Sequence, residues 1–452
     1  MWDAGLWTCA LFAASALSLG LAIQVANGAL APEAIGYLSW ASAAAVLSLA
    51  VPRFRRSATR PLGATAVALG MTAAVAYQAG FLAFTPPGIY LRFSMEDMRL
   101  FARGVVAAAV LAAGAVQGQP RTRRWFIGML LALYGAMGVW IVRSSPSPHI
   151  DVFVFQRDAC AALLAGKNPY AMTFPNIYGD ATPFYGRDLS AAGRLQFGFV
   201  YPPLSLFLAL PGHLLGDYRY SHVAAIVGAA ALMAFARRGP LGAAAAALYL
   251  LTPRSFFVIE QGWTEPFVVL LLAAVVFVAC RARWALPYAL GLFLCVKQYL
   301  VVALVPSLLL VPWADRKAAR GFVIRVAATA LVVTLPLALC NPRAFWADVV
   351  MLQTFQPFRA DALSYLAWFS RDRPRPLPTW ISFAVAGVVT VVASLRLRGA
   401  SNRFAAAVAL TFLAFFAFNK QAFANYYFFV IGAFCCAIAA ESRESVGCAR
   451  QA

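Results

Sequence analysis

The run LWTCALFAASALSLGLAIQVAN, residues 6–27, contains no Asp, Glu, Lys or Arg and is long enough to cross a bilayer as one helix. Similar runs follow at 62–84, 322–340 and 379–395, and they carry almost no charge. Charged residues make up 12% of the chain, about half of their usual share in a soluble domain. The runs are continuous and do not alternate with polar residues, which excludes a transmembrane β-barrel. The sequence therefore predicts an all-α polytopic membrane protein.

The basic residues lie in short connections between the apolar runs. They are Arg53, Arg55, Arg56 and Arg60; Arg121, Arg123 and Arg124; Arg237 and Arg238; Arg281 and Arg283; Arg316, Lys317 and Arg320; and Arg396, Arg398 and Arg403. Basic residues are enriched in cytoplasmic loops, so these connections predict the cytoplasmic side. This bias also accounts for the net charge of +20, and no basic stripe interleaved with aromatic residues indicates a nucleic-acid partner.

The resulting path has about 14 crossings with both termini inside. The predicted spans are 6–27, 33–51, 62–84, 101–118, 124–142, 217–236, 240–257, 264–280, 284–297, 299–312, 322–340, 379–395, 404–418 and 424–441. The first run lacks a basic segment before it, so we interpret it as a span and not as a cleaved signal. The path requires a helix break near Lys297 and an interfacial helix at 201–216, which is short and interrupted by prolines.

The chain divides into three predicted regions. They are an N-terminal four-span region at 1–118 of unknown role, a catalytic membrane domain at 119–441 with outer loops 143–216 and 341–378, and a cytoplasmic tail at 442–452. No Gly-rich nucleotide-binding loop is present.

The outer loop 143–216 contains the segments HIDVFVFQRDACAALLAGKNPY (149–170) and FGFVYPPL (197–204). A loop of this length is usually functional or disordered, and this one is too rich in aromatic residues to be disordered. If 151–165 is helical, Asp151 and Asp158 share one side of it. A carboxylate at the membrane boundary can deprotonate a hydroxyl, which makes Asp151 the candidate general base. The alternative is that Asp151 only caps the helix.

Lys297 lies deep in the apolar stretch GLFLCVKQYLVVALVP. A charge at that depth is costly and is by default a functional candidate, with a phosphate as its natural partner. The alternative is snorkelling, or pairing with Glu260 or Glu265.

Two further cations are candidates for binding a lipid phosphate. Arg359 belongs to an Arg- and aromatic-rich outer segment, which suits an anionic ligand and equally suits a solvated face against headgroups. Lys420 lies at an outer span end, where snorkelling is the alternative.

The remaining candidates are substrate contacts from short polar motifs. They are Asp158; Asn168 and Tyr170 in GKNPY; Tyr201 in FGFVYPPL; and Glu260, Gln261 and Glu265 in EQGWTEPF. The alternative interpretations are structural: GKNPY is a turn, FGFVYPPL is a rigid loop, and the negative charge of Glu265 stabilises the N-terminus of its own helix. The eight cysteines form no CxxC pair, and no metal or other cofactor is predicted. Several outer acids leave a divalent cation open as an alternative.

In the order of these motifs the chain resembles the membrane-embedded GT-C glycosyltransferases, and most closely glycosyltransferase family 87. The resemblance covers about 143–441, through DVFVFQRDACAALLAGKNPY, FGFVYPPL, the EQGW element, the intramembrane Lys297 and the late segment ANYYF. Two positions depart from the family pattern: EQGW replaces a Gly-Gln order, and Gln298 stands where Pro is common.

The resemblance implies an inverting transfer of a mannose-like or other monosaccharide from a polyprenyl-phosphate carrier to an envelope glycan or glycolipid. It implies a GT-C bundle in the bacterial inner membrane, with Asp151 as general base on the periplasmic face and Lys297 at the carrier phosphate. A transporter or flippase of a lipid-linked glycan is the alternative, although no internal repeat supports it. A structural subunit of an envelope complex is a third interpretation.

Overall fold

The computed structural model describes residues 4–50, 61–182, 184–397 and 401–441. Its α-helices are α1 (Ala4–Val25), α2 (Pro32–Ala50), α3 (Pro61–Phe84), α4 (Met95–Gln117), α5 (Pro120–Ser144), α6 (Asp151–Leu164), α7 (Pro203–Leu214), α8 (Arg219–Ala236), α9 (Pro240–Leu250), α10 (Ser255–Gln261), α11 (Glu265–Arg281), α12 (Leu286–Leu294), α13 (Leu304–Ser307), α14 (Arg316–Cys340), α15 (Pro342–Trp346), α16 (Leu352–Phe355), α17 (Tyr365–Ser370), α18 (Trp380–Arg396), α19 (Ser401–Ala417) and α20 (Ala424–Ala439). Short 3-10 helices occupy Pro169–Ala171, Arg187–Leu189, Arg283–Ala285, Gln298–Ala303 and Leu308–Leu310, and a π-helical turn occupies Ala347–Met351.

Regular strands in these residues are limited to one short antiparallel hairpin. It consists of β1 (Ser190–Ala191) and β2 (Arg194–Leu195), with Ser190 opposite Leu195. The prediction of an all-α membrane protein is confirmed at this level.

Within the described residues, seven helices are long and apolar enough to cross a bilayer by themselves. They lie at Gly5–Val25, Pro32–Ala50, Thr65–Phe84, Met95–Gln117, Pro120–Ser144, Arg219–Ala236 and Arg316–Cys340. The pair α9 and α10, bent by 52°, makes an eighth if its halves cross together. The count of about 14 is not confirmed, because the remaining apolar helices are shorter. A helix of 17 residues, such as α18, rises only about 25 Å.

Several local predictions hold. The helix expected at 151–165 is α6, and the one expected at 201–216 is α7. The break expected near Lys297 separates α12 from the 3-10 helix Gln298–Ala303. The predicted cluster Arg53 to Arg60, Arg398 and the tail 442–452 lie outside the described residues.

The helix boundaries follow from local chemistry. Helices α5, α9 and α15 each begin at a proline, whose missing N–H is harmless in the first turn. Helix α4 begins with a capping box, in which Ser94 and Asp97 each accept the other's backbone N–H. Helix α10 is bounded by Arg254 and Gly262, both in the left-handed region, and this confines it to seven residues.

Helices α9 and α20 form the centre of the bundle. Every residue of Leu241–Leu250 in α9 is buried, and its run of alanines lets neighbouring helices approach closely. Helices α3, α4, α8 and α20 pack against α9, and α1 packs against α20. The predicted region 1–118 therefore shares one core with the rest of the bundle.

The loops that carry the predicted site meet at one end of the bundle. Residues from the α1–α2 loop, the α3–α4 loop, the segment between α5 and α7, and the connections flanking α18 and α19 line a common cavity there. The connections that carry Arg121, Arg237 and Arg281 lie at the other ends of their helices. The chain thus separates its basic connections from the cavity.

Candidate functional site

A cavity of about 1040 Å³ opens at this end of the bundle. Five of the predicted site residues line it: Asp151, Tyr201, Lys297, Arg359 and Lys420. They come from four separate stretches of the chain, so only the fold brings them together. Small-molecule pockets usually measure about 300–1,000 Å³, and this cavity accommodates a ligand at the upper end of that range.

Asp151 is the first residue of α6, and the helix cap is its neighbour Ile150. The Asp151 Oδ1 accepts the N–H of Val152 at 2.7 Å, and Oδ2 accepts a short hydrogen bond from the Tyr185 hydroxyl. The Tyr178 hydroxyl accepts the Asp151 backbone N–H at 3.2 Å. Burial raises the pKa of the Asp151 carboxyl, and the hydrogen bond from Tyr185 partly opposes this rise. A carboxylate with a raised pKa that lines a cavity is suited to accept a proton.

Aromatic side chains form the wall around Asp151. Tyr178 packs edge-on against Phe184 at 4.9 Å between centroids, and Tyr185 packs against Phe197 at 5.9 Å. The lining rings in this part of the cavity are Tyr90, Tyr178, Phe184, Tyr185, Phe197 and Tyr201. Such rings present flat apolar faces with polar edges, which suits a ligand that has both. The sequence indicated only that this loop is rich in aromatic residues, and the roles of Tyr178 and Tyr185 at Asp151 were missed.

Replacing Tyr185 with Phe removes the hydroxyl that stabilises the ionised Asp151. The pKa of Asp151 then rises further, so the carboxylate is protonated up to a higher pH. If Asp151 must be ionised for activity, we expect the acidic limb of the pH–rate profile to move to higher pH in Tyr185→Phe. Tyr178→Phe is the matched control, because its hydroxyl meets the Asp151 backbone N–H and not the carboxylate. If the acidic limb of the pH–rate profile lies at the same pH in Tyr185→Phe and in the wild type, activity does not depend on the ionisation of Asp151.

Lys297 lies at the inner part of the cavity and is 5% exposed. Its ammonium group donates a short hydrogen bond to Thr264, pairs with Glu265 at 3.2 Å and lies 4.0 Å from the centroid of the Tyr201 ring. Of the two alternative partners predicted for Lys297, the structure places Glu265 in contact. The second oxygen of Glu265, Oε2, is buried and has no hydrogen-bond partner among the described residues. Lys297 is therefore an oriented cation whose charge is matched by one carboxylate.

Arg359 and Lys420 lie at the outer part of the cavity and are linked through the backbone, because the Arg359 N–H donates to the Lys420 carbonyl at 3.1 Å. The Arg359 guanidinium lies between the rings of Phe184 and Phe423, at 4.5 and 4.9 Å, and pairs with Asp361 at 2.6 Å.

Lys420 Nζ donates to the carbonyls of Gln353 and Gln356 at 2.9 and 2.7 Å. Burial lowers the pKa of this ammonium group. Its hydrogen-bond acceptors among the described residues are neutral carbonyls, whereas Lys297 and Arg359 are each paired with a carboxylate. Lys420 is therefore the least compensated of these three cations.

Three predicted substrate contacts do not line the cavity. Asp158 pairs with Arg157 at 2.7 Å and lies about 10 Å along α6 from Asp151. Asn168 accepts the Tyr170 N–H at 3.0 Å and caps the turn that follows. The Tyr170 hydroxyl donates to the Tyr201 carbonyl at 2.8 Å. Asn168 and Tyr170 therefore stabilise the loop, which agrees with the interpretation of GKNPY as a turn.

The three acidic and amide candidates of EQGWTEPF are also absent from the cavity lining. The carboxylate of Glu260 is occupied by backbone N–H groups of Ile89 and Tyr90. Gln261 donates to Glu260 at 3.0 Å, and Glu265 contacts two lining residues, Lys297 at 3.2 Å and the Tyr299 hydroxyl at 3.4 Å. A direct contact of these residues with a ligand stays a prediction, and their contacts are with the protein itself.

Asp348 is a buried acid that the sequence analysis did not select. It lies in the π-helical turn Ala347–Met351, and its Oδ2 has no hydrogen-bond partner among the described residues. Burial raises the pKa of Asp348 to about 6, and the Gly198 N–H opposes the rise. A Cβ at Gly198 would come within 2.6 Å of Asp348 Oδ2, so FGFVYPPL requires glycine there. The feature of the sequence that could have identified Asp348 is its position as a single acid within the apolar stretch AFWADVVML.

Among the described residues, no three His, Cys, Asp or Glu side chains gather as a metal site. No protein-family model matches the chain, and no curated protein matches it.

Proposed function

We propose that this protein is an inverting glycosyltransferase of the GT-C type, which moves a monosaccharide from a polyprenyl-phosphate carrier to a hydroxyl of an envelope glycan or glycolipid. The observation that carries the proposal is the shared cavity, in which the Asp151 carboxylate faces a space also lined by Lys297, Lys420 and the Arg359–Asp361 ion pair. A base and several cations are what transfer from a phosphate-linked sugar requires.

The chemical step needs one proton transfer and one substitution. Asp151 accepts the proton of the acceptor hydroxyl while the oxygen of that hydroxyl attacks the anomeric carbon of the sugar. The bond between this carbon and the phosphate oxygen breaks, and the polyprenyl phosphate leaves with the electron pair and one additional negative charge. The attack from the face opposite the leaving group inverts the anomeric configuration.

The cations stabilise the charge that develops on the leaving phosphate. Lys420 suits this role best, because its present partners are two carbonyl oxygens that a phosphate can displace. Arg359 stays anchored by Asp361 and offers its remaining N–H groups. Lys297 is paired with Glu265, and we assign it to the inner part of the donor site.

The membrane placement belongs to the same proposal. By the positive-inside rule we assign the basic connections to the cytoplasm and the cavity to the opposite face, which the family resemblance implies is the periplasmic face of a bacterial inner membrane. The shorter apolar helices α11, α18, α19 and α20, and the halves around Lys297, then complete a path of about 14 crossings. A polyprenyl carrier reaches such a site laterally, from the bilayer. The resemblance to glycosyltransferase family 87 supports the same orientation.

Reconstitution tests the proposal directly. The protein is placed in vesicles with radiolabelled polyprenyl-phosphate sugars and an envelope lipid or glycan extract, and transfer of label to the acceptor is measured. We expect transfer that depends on the protein and releases polyprenyl phosphate in equal amount. Absence of transfer with every carrier and acceptor would reject the proposal.

Lys420→Ala should raise the KM for the carrier by about 10- to 100-fold, since a hydrogen bond to a charged group contributes about 1.5–3 kcal/mol. Lys420→Arg should recover most of this loss because it keeps the charge. Lys167→Ala is the matched control, since Lys167 is an exposed lysine of the loop 143–216 and lies outside the cavity. An unchanged KM in Lys420→Ala would remove this residue from the donor site.

A flippase for a lipid-linked glycan is the second candidate, and one observation favours it. The chain is broken beside Lys297 and again, by 52°, between α9 and α10, and discontinuous helices are typical of transporters. The same vesicles separate the two functions. Carrier translocation without transfer, unchanged in Asp151→Asn, would favour the flippase.

A further inference from the structure

The end of α10 holds the loop between α3 and α4 by main-chain contacts. Glu260, which is fully buried, accepts the N–H of Ile89 at 2.8 Å through Oε2 and the N–H of Tyr90 at 2.7 Å through Oε1. At the other end of α10, Arg254 donates to the Pro86 carbonyl at 2.8 Å. Segment 86–90 is therefore fixed at both ends by one short helix.

The fit between Glu260 and this loop depends on a glycine. A Cβ at Gly88 would lie 2.4 Å from the Glu260 carboxyl carbon, so a side chain there would displace the carboxylate. Gln261 adds a third donor to Glu260, at 3.0 Å. The carboxylate is thus committed to protein donors on both oxygens, which argues against a direct role in binding the substrate.

The held loop in turn contacts the residues that precede Asp151. The Tyr90 hydroxyl donates to the His149 carbonyl at 3.0 Å, and the Arg92 N–H donates to the Ser144 carbonyl at 2.7 Å. The His149 ring packs edge-on against Tyr178, whose hydroxyl receives the Asp151 backbone N–H. A continuous path of contacts therefore runs from Glu260 to the candidate base.

We infer that Glu260 is a positioning residue for Asp151, acting through Tyr90 and the His149 carbonyl. The inference rests on the proposed function of Asp151. It also gives the N-terminal four-helix region a role, because the α3–α4 loop supplies both the Tyr90 contact and part of the cavity wall.

Two substitutions test the path. Glu260→Gln keeps the shape but offers only one acceptor oxygen to Ile89 and Tyr90, and Tyr90→Phe removes only the hydroxyl that meets His149. We expect each to lower kcat by about 10- to 100-fold with little change in KM, because a small misplacement of a catalytic group has effects of this size. Because both act through one path, the double variant should lose little more than the stronger single variant.

Glu96→Gln is the matched control, as Glu96 is exposed in the first turn of α4. Additive losses, or a loss that appears in KM alone, would overturn the inference, as would a kcat for Glu260→Gln equal to that of the wild type. Hydrogen exchange of residues 86–92 and 145–151 provides a measurement that does not need activity. Faster exchange in both segments of Glu260→Gln is expected, and unchanged exchange would overturn the path.

The two measurements keep this inference separate from the proposed function. A wild-type protein that transfers no sugar would reject the transferase, while the exchange data would still decide whether Glu260 holds the turn that leads to Asp151.

Discussion

Asp151→Asn should reduce kcat by about 1,000-fold, with the KM for the carrier nearly unchanged. Asparagine has the size of aspartate, and its Oδ1 can still receive the Tyr185 hydroxyl, so the aromatic wall should stay in place. It cannot accept a proton from the acceptor hydroxyl. A loss in kcat without a loss in carrier binding is therefore the specific signature of a missing base.

The measurement is transfer of labelled sugar in reconstituted vesicles, at saturating carrier. Asp188→Asn is the matched control, because Asp188 is an exposed acid of the same outer segment and does not line the cavity. Carrier binding is followed separately. If Asp151→Asn transfers sugar at the wild-type rate, Asp151 is not the base, and the assignment of the cavity has to be abandoned.

Fold class and several local elements were predictable because they depend on residues close in sequence. A run without charges must be a helix in a bilayer, since every backbone polar group needs an internal partner there. The helix at Asp151 and the break beside Lys297 also follow from local patterns. The number of crossings could not be predicted from local patterns, because α18, α19 and α20 are shorter than a standard span. Whether such helices cross depends on packing and on the bilayer.

The site was only partly predictable, since its contacts join distant segments. Sequence reasoning selected Asp151 and Lys297 from their chemistry alone, because an acid beside a membrane and a cation within one are unusual. It could not determine that Tyr185 donates to Asp151, or that Glu265 and not Glu260 pairs with Lys297. These partners are separated by 34 residues in one case and 32 in the other, and no local pattern links them.

Sequence motifs also gave Glu260 a ligand-binding role, whereas its contacts in the structure are with the α3–α4 loop. A conspicuous acid near a site is compatible with both roles. The distinction comes from donors that lie about 170 residues away in sequence, at Ile89 and Tyr90.

Loss of Arg219 should strongly destabilise the protein. It begins α8, has no exposed surface, and donates from all three of its guanidinium nitrogens. It pairs with Asp217 at 2.6 Å and donates to the carbonyls of Ser145 at 2.6 Å and Glu260 at 3.0 Å. The guanidinium also lies 4.8 Å from the centroid of the Phe153 ring. One side chain thus joins the end of α5, the start of α8 and the end of α10.

Arg219→Met should therefore cost about 3–5 kcal/mol of unfolding free energy, because removing one partner leaves Asp217 and the buried carbonyls uncompensated. Arg219→Lys should be intermediate, since a lysine has three donors and no planar fork. Arg157→Met is the matched control: Arg157 lies over the same Phe153 ring at 5.6 Å but pairs with Asp158 at the surface, where such pairs contribute at most about 1 kcal/mol. Thermal unfolding in detergent measures all three. A Tm for Arg219→Met within about 2 °C of wild type would show that these buried hydrogen bonds do not stabilise the bundle.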